Sequence, residues 1–143
     1  MQQGVPGMKT AVKKPSEAVR LRKEWQALVE QLADQVETWA TERGWAVHRD
    51  VKQIKESGLG TYTVPFVSIH PPSGRVHLDP IARNVCGGSG GRVDLTAWPT
   101  SNRMLLLRAG NRWRIRDDYG VAWREKWSPE TFERMVEAVN ALD

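Results

Sequence analysis

The chain has 143 residues, 40% hydrophobic and 27% charged, which suits one domain with its own core and leaves no need for a second. No apolar run approaches the roughly 20 residues that span a bilayer, so a helical membrane protein is excluded. The single cysteine, Cys86, rules out an internal disulfide and points to a reducing, cytoplasmic setting.

The formal charge of +4 is concentrated at one end: residues 1–24 hold six basic side chains against two acidic ones, and the rest of the chain carries fifteen of each sign. Residues 1–15 lack apolar periodicity and a hydrophobic leader core, so a disordered basic tail bearing Lys13 and Lys14 is expected ahead of a single domain over 16–143. Ser16 is the expected N-cap of a first helix. Leu21, Trp25, Leu28, Leu32, Val36, Trp39 and Ala40 then recur every three or four positions, drawing one apolar stripe down a helix that ends near Arg43 with Gly44 as the residue beyond its cap.

After Gly44 the period shortens to two. Trp45, Val47 and Val51 alternate with polar residues as a half-buried strand, and the polar stretch from Lys52 to Gly60 reads as a loop. Residues 62–70 and 75–79 flank Pro71-Pro72-Ser73-Gly74, a hairpin connection that sets Ile69 opposite Val76 and Val67 opposite Leu78. Residues 80–84 read as irregular and 86–91 as a glycine-rich connection into a strand over 92–98, in which Val93, Leu95 and Ala97 share a face. Strands over 103–108 and 112–116 form a further hairpin, followed by a short segment at 121–123. Ser128-Pro129-Glu130 then starts a final helix with an N-cap, a proline at the first helical position and an acid beside the positive dipole end.

The expected fold is therefore α+β: one antiparallel, meander-like sheet of about five or six strands with an N-terminal and a C-terminal helix packed on one face.

Most enzyme chemistries lack their reagents. The glycines near Cys86 are not followed by Lys-Ser/Thr and a helix, as a phosphate cradle requires, and a glycine loop does not hold a thiol against a base. Ser89 stands among glycines at Gly-x-Ser-x-Gly spacing but lacks the strand before it that a nucleophile elbow requires, and no cofactor motif is present. Alternation places His77 and Asp79 on one strand face with Asp94 on a neighbouring strand, the set a metal-assisted hydrolase or nuclease would use. A nuclease with an acid-x-Lys pair would need a lysine after Asp94, and none stands between Lys55 and Lys126.

Every basic residue from Arg75 to Arg116 is instead arginine, and Arg112, Arg114 and Arg116 alternate along one strand. Guanidinium forks suit phosphates, and Trp98, on the same side of its strand as Arg92, suits base stacking. Trp123 and Trp127 beside Arg124 and Lys126 are either a contact patch or packing for the last helix. The sequence thus points to a non-catalytic binding or accessory protein whose partner is nucleic acid or another protein, with Arg92, Trp98, Arg112, Arg114, Arg116, Lys13 and Lys14 as contact residues. The alternatives are the His77, Asp79, Asp94 ion site and a self-associating structural subunit.

Overall fold

The computed structural model describes residues 6–85 and 90–141, with side chains from residue 17 onward. The elements run α1 (Pro6–Glu42), β1 (Ala46–Glu56), β2 (Gly60–His70), β3 (Arg75–Ala82), β4 (Arg92–Trp98), β5 (Arg103–Ala109), β6 (Arg112–Asp117), β7 (Ala122–Trp123) and α2 (Pro129–Asn140). The seven strands form one antiparallel sheet in sequence order, with both helices against one face, the inner face.

The stripe on α1 packs as its spacing demands. Trp25, Val29, Leu32, Ala33, Val36 and Ala40 are buried in the core, with Leu21, Leu28 and Trp39 at its margin. The helix stops at a Schellman arrangement: the Gly44 amide donates to Thr41 O and the Trp45 amide to Ala40 O, with Gly44 at φ 76°. At its other end the helix begins at Pro6, so Ser16 lies inside it and is not its cap. Residues such as Met8, Ala11, Lys13 and Lys14 are good helix formers, and a helix nucleated by the packed stretch propagates back through them at one hydrogen bond per residue. Residues 1–5, and the side chains of Lys13 and Lys14, lie outside the described residues.

The hairpin of β2 and β3 closes in the expected register, with Val67 opposite Leu78 and Ile69 opposite Val76. The expected loop at 52–60 is a correction: β1 continues to Glu56 and pairs with β2 as far as Gly60. Its polar character misled because β1 is an edge strand, where charged side chains are tolerated and discourage pairing with other chains. Likewise β3 continues through Pro80 to Ala82, with a register shift between those two residues where proline offers no N–H to the ladder.

The β1–β2 ribbon outruns the sheet. Its register is continuous, so Tyr62 and Val64 point to the opposite side from Val67 and Ile69, yet all four are buried in one core cluster. Two-stranded ribbons twist strongly, and beyond Val67 the ribbon presents its other face to the core. Polar clasps hold it there. The Glu56 carboxylate accepts the Tyr62 hydroxyl and the amides of Arg83 (2.9 Å) and Asn84 (3.0 Å), while Lys52 Nζ donates to Asp79 (2.6 Å) and Pro80 O (2.7 Å). Burial and the Glu56 carboxylate together raise the Tyr62 phenol well above its ordinary value.

Gly91 fixes how closely the chain before β4 meets α1. A Cβ there would stand 2.1 Å from the Trp25 ring, and φ is 143°; only glycine allows both. At the C-terminus Ser128 caps α2, its hydroxyl accepting from the Thr131 amide at 3.1 Å, and Phe132, Met135, Val136 and Val139 are buried. Trp39, Trp45 and Trp127 pack tilted or edge-on around Phe132. Among the described residues no helix is long and apolar enough to cross a membrane.

Candidate nucleic-acid interface

Because both helices cover the inner face, the outer face is exposed where alternation sends the polar side chains. The register defines its rows. Arg116, Leu105, Asp94 and Asp79 stand side by side across β6, β5, β4 and β3, and Arg114, Leu107 and Arg92 form the next row.

Asp94 is 2% exposed and accepts from Arg92 Nε at 2.8 Å and Nη2 at 2.9 Å, with Arg103 Nη1 at 3.7 Å. A carboxylate this deep is tolerable only with such a bidentate partner. The same hydrogen bonds raise the Arg92 guanidinium above its usual range. Arg103 also reaches Asp118 at 2.9 Å. Leu105, opposite Asp94 and Arg116, is 2% exposed yet outside the core cluster.

Arg112, Arg114 and Arg116 differ from these. All three are exposed, and none has an ion-pair or hydrogen-bond partner among the described residues. The acids that follow them are engaged elsewhere: Asp117 accepts the amides of Tyr119 and Val121 in the turn, and Asp118 holds Arg103. Alternate residues on a strand are about 6.8 Å apart, so the three arginine side chains leave one side of β6 at even intervals, like a comb.

Of the other expected contact residues, Arg92 lies on the same face but is neutralised by Asp94. Trp98 is 57% exposed, opposite Arg75 at the far end of β4. Strand and ladder spacings put it on the order of 15–20 Å from Arg116, so the structure does not bring Trp98 and the comb together.

The alternative ion site is not assembled. Asp79 and Asp94 are register partners, but each is held by its own cation, Lys52 for Asp79 and Arg92 for Asp94. The His77 ring is half-buried and packs on Phe66 at 5.1 Å; burial, then the Arg75 charge, lower its pKa. Among the described residues no group of three His, Cys, Asp or Glu side chains could hold a metal ion. Cys86 lies outside the described residues.

The feature that sequence reasoning did not find lies on the other side of β6. Since β7 pairs only with Ile115 and Arg116, the edge of β6 from Arg112 to Arg114 has no neighbouring strand among the described residues. There a groove of about 1120 Å³ opens between β6, the 120–127 segment and Gln31 and Gln35 of α1. Trp113, Trp123 and Trp127 line it, together with Arg108, Arg124 and Lys126. Arg108 lies over the Trp113 ring at 5.2 Å and Arg134 over Trp123 at 5.7 Å, while Trp127 Nε1 donates to Gln35 Oε1 at 2.9 Å. Trp123 and Trp127 are half-buried against the core, in line with the packing expectation, and they also line this groove. Trp123, Arg124, Lys126 and Trp127 were a signal for part of its lining, but Gln31 and Gln35 are in sequence ordinary helix-surface residues more than 75 positions from β6.

No family model matches the chain, and no curated protein or solved structure matches it at a significant level.

Proposed function

We propose that this protein binds single-stranded nucleic acid on the outer face of its sheet, with the guanidinium groups of Arg112, Arg114 and Arg116 holding successive phosphates. The observation that carries this reading is the contrast within one face: Arg92 and Arg103 are taken by buried or turn carboxylates, and the three arginines of β6 have no partner among the described residues. Planar guanidinium forks match phosphate oxygens two at a time. The even pitch along a strand is of the same order as the phosphate repeat of an extended nucleic-acid chain, so each tooth of the comb can serve one nucleotide. Lys13 and Lys14, on the basic N-terminal segment, add charge that draws a polyanion in.

The test is fluorescence anisotropy with a labelled oligothymidylate over a range of salt. Binding is expected to weaken linearly in log–log form as salt rises, and the triple variant Arg112→Ala, Arg114→Ala, Arg116→Ala is expected to reduce that slope by about 2, near 0.7 per lost phosphate contact on a single strand. Absence of binding at low salt, or a triple variant with unchanged slope, rejects the reading. An acidic peptide is run as competitor; a peptide that binds while the oligonucleotide does not makes the partner a protein.

A further inference from the structure

Resting on the reading above, we infer that the tryptophan-lined groove at the open edge of β6 receives the unpaired bases of the strand whose phosphates lie on the arginine comb, and that the protein therefore selects single strands over duplexes. Four observations converge on it.

The first is continuity. The comb residues themselves form one wall of the groove, and because β7 is only two residues long, a chain lying on Arg112 and Arg114 can turn over the strand edge without crossing another strand. The second is lining chemistry. Trp123 and Trp127, both half-buried, offer flat apolar surface on which any base can stack, whereas Trp113 is 8% exposed and packed against Trp25. Opposite them, Gln31 is exposed, and Gln35 spends its carbonyl on Trp127 while its amide nitrogen has no partner among the described residues; amides of this kind suit the donor and acceptor edges of bases.

The third is charge. Six cationic side chains line the groove against one carboxylate, Glu125, and that carboxylate is already held by Arg134 at 3.0 Å. The occupant must be anionic or be attached to an anion. The fourth is size. About 1120 Å³ exceeds the usual range of roughly 300–1,000 Å³ for small-molecule pockets, which leaves room for more than one base, whereas a duplex keeps its bases stacked inside and offers this groove only its backbone.

The test uses the full chain without substitution. Three ligands of equal length are compared at one salt concentration: oligothymidylate, the same sugar-phosphate chain lacking bases, and a duplex. Oligothymidylate is expected to bind roughly tenfold or more tightly than the abasic strand, since each stacked base adds to affinity, and to quench tryptophan fluorescence; the abasic strand and the duplex should leave it unquenched.

Equal affinity for the abasic and base-bearing strands overturns the inference while leaving the arginine comb standing. Loss of binding by all three ligands removes the comb reading as well. A second comparison guards against quenching at Trp98, the exposed indole distant from the groove: Trp98→Phe should retain the quench, and a quench abolished by that change places the bases elsewhere and rejects the groove.

Discussion

Arg49 and Arg114 stand on opposite faces of one sheet, and their surroundings have little in common. Arg49, on the side of Val67, is gripped by Glu30, Asp34 and Glu37, three carboxylates at helical spacing on α1. Burial there disfavours its charge, but the hydrogen bonds to Asp34 and Glu37 outweigh it and the pKa is raised. Arg114 has no such partner among the described residues. The inner face spends its charged groups on fastening helix to ribbon, and the outer face keeps three guanidinium groups uncommitted. A charge already paired contributes to the fold; an unpaired one is available to something the chain does not contain.

That contrast can be broken or sharpened by substitution. The largest effect is expected on the inner side. Gly91→Ala would force a methyl group to 2.1 Å from the Trp25 ring at a backbone angle alanine resists, and should destabilise by roughly 3–5 kcal/mol, seen as a large fall in the thermal midpoint. A midpoint within a few degrees of the parent would show that the contact between Trp25 and the segment before β4 is not as tight as described.

Next comes the comb. Replacing Arg112, Arg114 and Arg116 with alanine should leave stability within about 0.5 kcal/mol, as for ordinary surface changes, and weaken oligonucleotide binding on the order of a hundredfold at low salt. A marked loss of stability instead would assign these residues to the fold.

Glu56→Ala tests the clasp. It leaves the Tyr62 hydroxyl and two backbone amides without their acceptor, at a cost of about 1–3 kcal/mol in chemical denaturation, while oligonucleotide affinity should hold. A loss of affinity would join the ribbon to the binding face.

The smallest effect concerns pH. Burial, then the Arg75 charge, disfavours the charged form of His77, so its folded pKa lies below the ordinary 6.5. The unfolded chain then binds the extra proton first, and the stabilisation, present above pH 6.5, is lost as pH falls through and below that value. His77→Thr should flatten the acid side of the stability profile relative to the parent; identical profiles would remove His77 from the balance.

Part of this was legible in the residues. The comb could be read because alternation is a local property: Arg112, Arg114 and Arg116 must share a side whatever packs around them. The Schellman end at Gly44 and the Ser128 cap were legible for the same reason, since each is set by a few consecutive residues. The strand at 52–56 was not, because an edge strand need not be apolar. The seventh strand escaped clear reading because two residues carry too little pattern.

The neutralisation of Arg92 depended on which way Asp94 faced and how deeply it lay, and the separation of Trp98 from the comb depended on ladder register across three strands. The groove required α1 to bring Gln31 and Gln35 against β6 from the far end of the chain. The order of side chains along each element, and so which of them share a surface, was determined by the sequence itself through backbone periodicity. Which surface the helices cover, which charges find partners and where an edge is left open were decided only by the tertiary structure, because those outcomes depend on contacts between residues that the chain keeps far apart.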